Sequence, residues 1–388
     1  MQEQHVFTLV IYMNFQEELF SESQNKLMIP FLDLSTQQSR IFDEINHGIQ
    51  KVLAHGKYIL GPEVYELEEM LQNYTKSAHC ITVANGTDAL QIALMSLDIG
   101  RGDEVITPSF SDIATAEVIK ILGAEPVYID IDPLSFNLDP SKLEKAISPK
   151  TKAIIPVSLY GVPANFDKIN SIANKYSIPV IEDAAQSFGA QYKNRKSCNL
   201  SLIGCTSFFP TKPLGCYGDG GAVFTSDEDL AKKIRQIAQH GQKKKYHHIR
   251  IGVNSRLDTI QAAILIAKLK ILDIEIAERA KIANNYTEAF RLNKNIQAHE
   301  IGDDYFSAWA QYTIRAKNRD QIKENLLSLG IPTMVYYPLP LSSQPAVCKK
   351  SNVPESEMAT KEVLSLPIYG TLKEEYQNKI IEIILKKN

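Results

Sequence analysis

The stretch Pro179-Val180-Ile181-Glu182-Asp183-Ala184-Ala185-Gln186-Ser187 carries an apolar run of strand type that ends on two acids. Short apolar runs bounded by turn signals read as buried strands, and in open α/β sheets ligands bind beyond the carboxyl ends of such strands. Asp183 therefore stands where a carboxylate meets a ligand cation, although a structural cap or a magnesium ligand fits the same position. Upstream, residues 80–84, 104–107, 125–129 and 153–157 have the same character. Downstream, residues 205–209 and 222–225 repeat it. Amphipathic stretches at 88–97, 114–122, 166–175 and 227–240 alternate with these runs. This alternation predicts an α/β fold built on one mostly parallel, seven-stranded sheet with helices over both faces.

Residues 256–293 are rich in Ala, Ile, Leu, Lys and Glu and read as a long helix, broken once. Beyond it come a strand at 311–315, a helix at 320–329 and a terminal helix at 373–386. The reading is a large unit over 28–275 and a smaller C-terminal α+β unit over 276–388. Residues 1–27 read as an extension. The apolar run at 6–13 is short and follows Glu3 rather than a basic region, so a signal peptide is not expected.

With 388 residues the chain is long enough for two units and a sizeable core. It is 44% hydrophobic and 22% charged, which argues against disorder, fibrous repeats and coiled coil. The net charge of −3 gives no basic excess, so a nucleic-acid partner is not expected. No apolar run is long enough to span a bilayer. The five cysteines form no CxxC pair and suggest reduced thiols in a cytoplasmic protein, with no metal site.

Two further segments suggest chemistry. Ala84-Asn85-Gly86-Thr87-Asp88 follows a strand and opens a helix. Free N–H groups at a helix start attract anions, Gly86 permits close approach, and the Thr87 hydroxyl adds a donor. A plain N-cap explains the same residues. Next, Thr206-Ser207-Phe208-Phe209-Pro210-Thr211-Lys212-Pro213-Leu214-Gly215 places a lysine in an aromatic, Pro- and Gly-rich turn straight after a strand. Glycines follow at 218, 220 and 221. A desolvated lysine loses pKa and becomes a nucleophile toward carbonyl carbon. A lysine snorkelling from a glycine-rich loop is the alternative.

Their order matters more than any one of them. An anion nest, a strand-end aspartate and a lysine loop, each at the end of a strand, are what pyridoxal phosphate requires. The phosphate takes the nest, the ring nitrogen takes the carboxylate, and the aldehyde takes the lysine.

From Ile29 to about Leu385 the chain resembles the DegT/DnrJ/EryC1/StrS sugar aminotransferases, of pyridoxal phosphate fold type I. The resemblance rests on Pro30-Phe31-Leu32-Asp33-Leu34, Gly61-Pro62-Glu63-Val64, Asn85-Gly86-Thr87-Asp88-Ala89-Leu90 and Glu182-Asp183-Ala184-Ala185-Gln186-Ser187. It extends through Ser207-Phe208-Phe209-Pro210 with Lys212, Gly218-Asp219-Gly220-Gly221 and Asn254-Ser255-Arg256-Leu257-Asp258. The resemblance implies that Lys212 carries the cofactor and that Asp183 partners the pyridine nitrogen. Gln186 then bonds the phenolic oxygen, Gly86, Thr87 and Ser207 cradle the phosphate, and Phe110 stacks on the ring. Asn254 reaches the phosphate of the neighbouring subunit's cofactor, which implies a homodimer with shared active sites.

Within the family the chain is most similar to the aminotransferases that act on UDP-2-acetamido-2-deoxy-3-oxo-glucuronate. The marks are Pro210-Thr211-Lys212-Pro213-Leu214-Gly215-Cys216-Tyr217 and the run from His240-Gly241-Gln242 through Tyr246-His247-His248-Ile249-Arg250 to Arg256. This implies a UDP-linked keto-sugar acceptor, L-glutamate as donor, and a place in cell-surface polysaccharide or lipopolysaccharide precursor synthesis. Arg256 is the candidate clamp for a sugar carboxylate, with a structural pair to Asp258 as its alternative. Residues 243–245 are a charge run, read as a solvated face or as a diphosphate contact. The chain departs from the family where His-Tyr-Pro becomes Tyr336-Tyr337-Pro338 and where a histidine after Pro-Leu is replaced in Pro340-Leu341-Ser342-Ser343-Gln344. Both departures fall where substrate contacts are expected, and Tyr337, beside the first of them, is a candidate substrate-binding residue. A sugar dehydratase of the same fold carries histidine in place of Lys212. A silent cofactor-binding regulator needs a DNA-binding domain, and the chain has no spare length for one.

Overall fold

The computed structural model describes residues 29–299 and 301–386. The extension read at 1–27 lies outside the described residues. Seven strands form the main sheet: β1 (His79–Val83), β2 (Glu104–Pro108), β3 (Glu125–Ile129), β4 (Thr151–Ile154), β5 (Ile181–Asp183), β6 (Ile203–Ser207) and β7 (Gly221–Thr225). One group runs β1-β7-β6-β5 and the other β3-β2-β4. Parallel bridges Ile154↔Val180 and Val157↔Asp183 join the two groups. Strand β2 is parallel to β3 and β4, and β5 is parallel to β6, whereas β7 runs antiparallel to β6 and β1. The mostly parallel α/β sheet expected from the alternation is therefore present, and the carboxyl ends of its parallel strands open on one side.

Of the strand limits that differ from the sequence reading, those of β6 and β4 differ most. Strand β6 covers 203–207 rather than 205–209, because Phe208 leaves the ladder and donates its N–H to the Gly220 carbonyl at 2.7 Å. Within it the Cys198 backbone passes close by, so that a Cβ on Gly204 would lie 2.4 Å from the Cys198 carbonyl oxygen. Strand β4 begins at Thr151, two residues early, and the chain stays extended to the bridge at Val157.

Both faces of the sheet are covered, as alternation along β7 shows. Val223 packs with Leu90, Leu94, Val118 and Ile234 on one face. Ala222 and Phe224 pack with Leu67, Leu71, Phe188 and Leu265 on the other. The covering helices Gly86–Ser96, Phe166–Lys175 and Glu228–Ala238 each start at a side-chain cap, from Asn85, Asn165 and Asp227 respectively. Such caps satisfy backbone N–H groups that the helix leaves open. Five helices of the described residues went unread in the sequence: Leu34–Arg40, Phe42–His55, Pro62–Thr75, Pro140–Ala146 and Pro354–Glu362.

The long helical segment is indeed broken once, into Thr259–Leu269 and Leu272–Phe290. The second piece begins with Leu272 and Ile276 in the core of the main sheet. It ends with Ile282, Tyr286 and Phe290 in a separate core. There Tyr286 stacks on Tyr312 with centroids 4.9 Å apart. This second core covers a small antiparallel sheet of Ile296–Gln297, Tyr312–Ala316 and Val363–Leu366. Helices Arg319–Ser328 and Glu374–Lys386 complete it. Among the described residues no helix is long and apolar enough to cross a membrane. All five cysteines are free, and all but Cys348 are buried.

Candidate active site

Lys212 sits on a loop closed at its base. The Cys216 N–H donates to the Phe208 carbonyl at 2.8 Å, and the Lys212 N–H donates to the Phe209 carbonyl at 2.9 Å. The loop folds back so tightly that a Cβ on Gly215 would lie 2.5 Å from the Pro210 carbonyl oxygen. Leu214 and Cys216 anchor the loop in the main core. Desolvation around the Lys212 amine pushes its pKa down, against the pull of the Asp112 and Asp183 carboxylates. The electrostatic coupling of Lys212 to Asp183 brings together the two residues expected to carry the chemistry.

Asp183 ends β5 and is 5% exposed. One carboxylate oxygen accepts the Ala185 N–H at 3.1 Å and the other accepts the Thr115 hydroxyl at 2.9 Å. Burial raises its pKa, while those donors and the Lys212 amine pull it back. A buried carboxylate with acceptor capacity to spare is what a protonated ring nitrogen would complete.

Gln186 is buried and held at both ends. Its side-chain oxygen accepts the Tyr160 N–H at 2.9 Å, and its side-chain amide donates to the Tyr337 hydroxyl at 3.0 Å. Tyr160 adopts φ 57°, in the left-handed region, which puts its N–H on that course. Its hydroxyl donates to the Tyr336 carbonyl. Phe110 is fully buried and meets Tyr337 edge-on, ring centroids 6.2 Å apart. Tyr337 is thus brought beside both Gln186 and Phe110.

The anion nest lies at the start of helix Gly86–Ser96. Asn85 accepts the Asp88 N–H at 2.8 Å, and among the described residues the N–H groups of Gly86 and Thr87 have no partner. A Cβ on Gly86 would fall 2.6 Å from the Ser207 Cβ, so only glycine lets the helix start approach the end of β6 this closely. Gly86, Thr87 and Ser207 are thereby brought together.

Asn254 and Arg256 are placed differently. The segment is anchored by Ser255, whose hydroxyl oxygen accepts the Ala84 N–H at 3.0 Å. Asn254 is exposed and bridges Gln239 in antiparallel fashion. Among the described residues no hydrogen bond or ion pair joins either side chain to Lys212 or Asp183, and none joins Arg256 to Asp258.

A family model described as the DegT/DnrJ/EryC1/StrS aminotransferase family matches residues 39–385. The chain belongs to this aminotransferase family. It is 59% identical over 346 residues to a Pseudomonas aeruginosa protein named UDP-2-acetamido-2-deoxy-3-oxo-D-glucuronate aminotransferase, covering 89% of this chain and 96% of that one. A DegT DnrJ EryC1 StrS aminotransferase from Brucella abortus has a similar structure, with a TM-score of 0.89 and 45% identity over 92% of this chain and 99% of that chain. A Bacillus subtilis structure described with bound cofactor PMP matches with a TM-score of 0.86 and 33% identity, covering 92% of this chain and 85% of that chain.

For an aminotransferase site, the structure adds residues that the sequence reading passed over. Thr115 bonds Asp183, Tyr160 bonds Gln186, and Asp112 faces Lys212 electrostatically. Glu182, next to Asp183, is fully buried and accepts from Ser197, Ser158 and the Cys198 N–H. Burial lifts its pKa to about 7. The one available signal was the period of two along β5, which sends Glu182 to the opposite face from Asp183.

Proposed function

We propose that this aminotransferase moves the amino group of L-glutamate to C3 of UDP-2-acetamido-2-deoxy-3-oxo-glucuronate, using pyridoxal phosphate, in the synthesis of a cell-surface glycan precursor. The 59% identity to the Pseudomonas aeruginosa enzyme of that name, over nearly the whole of both chains, carries this reading.

The residues present fit the cofactor: unpartnered N–H groups at Gly86 and Thr87, a buried carboxylate at Asp183 and a desolvated amine at Lys212. When bound, pyridoxal phosphate supplies an aldehyde carbon that takes up the amino group and a ring that draws electrons from the reacting α-carbon. Lys212 would hold the cofactor at its aldehyde carbon. Its Nζ, when not so engaged, would take the α-proton of the donor, and its lowered pKa leaves more of the neutral amine available for that role. Asp183 would keep the ring nitrogen protonated. The Gln186 amide has two N–H groups, and with one on Tyr337 the other is free for the phenolic oxygen. Gly86, Thr87 and Ser207 would hold the phosphate, and Phe110 would cover a ring face.

Two further parts of the reading rest on the Asn254 segment. Asn254 reaches the phosphate site of a second copy, and Arg256 binds the sugar carboxylate beside Tyr337. In support, the loop leading to Asn254 exposes Tyr246 (83%) and Ile251 (85%), apolar surface suited to burial in a homodimer. The division at 275/276 belongs to the same reading, supported by the helix that begins in one core and ends in the other.

The test is a two-stage spectrum. L-Glutamate should bleach the visible band of the bound cofactor, and UDP-3-oxo-sugars with and without the C6 carboxylate are then added. Recovery confined to the carboxylate-bearing sugar supports the proposed acceptor. Equal recovery with neutral sugars discards it, and recovery with neither discards 3-oxo nucleotide sugars as a class.

A further inference from the structure

We propose that Thr115 is a positioning residue for the transamination, fixing the Asp183 carboxylate that faces the cofactor ring. The inference rests on the reading of Asp183 given above. Thr115 lies in the first turn of helix Ala114–Ile121, on the chain that has just supplied Phe110 to the wall of the site. It is fully buried, and its hydroxyl donates to an Asp183 carboxylate oxygen at 2.9 Å. A buried hydroxyl needs a partner, and among the described residues Asp183 is the one found for it. Its β-branched side chain has few rotamers, so the donor stays aimed.

The geometry at Asp183 shows what this accomplishes. A carboxylate has about four acceptor sites on two oxygens. The Ala185 N–H occupies one oxygen and the Thr115 hydroxyl the other, from two different elements of the fold. Two donors on two oxygens fix the plane of the carboxylate, where one alone would leave it free to turn. Each oxygen keeps a lone pair for the ring nitrogen. Thr115 also favours the ionised carboxylate, because hydrogen bonds to a charged group are the strong kind. A ring nitrogen facing a neutral or rotated Asp183 would lose its proton and with it the capacity to draw electrons from the reacting carbon.

Thr115→Val keeps the shape and removes the hydroxyl, Thr115→Ser keeps the hydroxyl, and Thr115→Ala removes both methyl and hydroxyl. Each is compared with Asp183→Asn in the cofactor-loaded protein. The expected result for Thr115→Val is kcat about tenfold lower with KM for donor and sugar unchanged. The dissociation constant for pyridoxal phosphate should rise about tenfold, and the visible band should move in the direction seen with Asp183→Asn. Thr115→Ser should restore all three. Wild-type kcat, cofactor affinity and spectrum in Thr115→Val, beside a crippled Asp183→Asn, would overturn the role of Thr115. An unimpaired Asp183→Asn would instead overturn the reading of Asp183. Should Thr115→Val not fold, the contrast between Ala and Ser decides: equal loss in both overturns the proposal, and loss in Ala alone supports it.

Discussion

The side-chain amide of Gln186 donates to the hydroxyl of Tyr337 across 3.0 Å, joining residues 151 positions apart in the chain. The bond ties the strand-end segment of the main sheet to the C-terminal part of the chain, next to Tyr336, the position where the family's usual His-Tyr-Pro is altered. Tyr337→Phe removes the acceptor and leaves a buried amide N–H unpaired, a loss of about 1–3 kcal/mol. The expected outcome is kcat lowered by about tenfold with a folded, cofactor-loaded protein, read by steady-state kinetics. Kinetics equal to wild type would show that Gln186 does not depend on Tyr337.

Arg256 makes no ion pair among the described residues, so it is free to meet a substrate carboxylate. Arg256→Met should raise KM for the carboxylate-bearing sugar by about ten- to hundredfold, since a bidentate charged contact is lost. KM for a neutral 3-oxo-sugar should barely move. An equal effect on both sugars would return Arg256 to a structural role.

The proposed sharing of active sites makes a separate prediction. Lys212→Ala and Asn254→Ala protein, each impaired alone, should regain activity when unfolded together and refolded. Half of the dimers are then mixed and each holds one intact site, so about a quarter of wild-type activity is expected. No gain on mixing would place Asn254 at the site of its own subunit.

His299 is buried edge-on against Phe136, Tyr160 and Trp309, and neither ring nitrogen has a partner among the described residues. Burial pushes its pKa down to about 4. An unfolded chain takes up a proton near pH 6.5, whereas the folded chain refuses it until about pH 4. The stability held above pH 6.5 is therefore lost as pH falls through that window, by about 3 kcal/mol. Glu182, raised to about 7, acts in the opposite direction, lowering stability as pH rises from its unfolded value near 4.5 toward 7. Comparison with a variant separates the two: His299→Phe should flatten the acid limb of the melting-temperature profile. Parallel profiles for the two proteins would remove His299 as the cause.

Much of this site could be read from single residues because each does something local. Asn85 before Gly86, an acid at the end of β5, and a lysine among Pro, Gly and aromatic residues announce a nest, a carboxylate and a desolvated amine. Helices Gly86–Ser96, Phe166–Lys175 and Glu228–Ala238 were legible from their apolar periodicity, whereas the short helix Leu34–Arg40, though capped by Asp33, was not. What escaped was set by tertiary contact. Thr115 sits in a stretch that reads as an ordinary amphipathic helix, and its partner lies 68 residues away. Tyr160 matters through its backbone conformation rather than its type. Helix Pro62–Thr75 did carry a signal, proline in its first turn, but Gly61-Pro62-Glu63-Val64 was read only as a family mark. The limits of β6 slipped because Phe208 and Phe209 prolong the apolar run after the ladder has ended, and Phe208 is buried from a loop.

The central claim is that Lys212 carries the cofactor, and covalent capture tests it most directly. Purified protein is loaded with pyridoxal phosphate, reduced with borohydride, digested and mapped by mass spectrometry. The added phosphopyridoxyl mass should fall on the peptide containing Lys212 and vanish in Lys212→Ala. Modification centred on another lysine, unchanged by Lys212→Ala, would contradict the account.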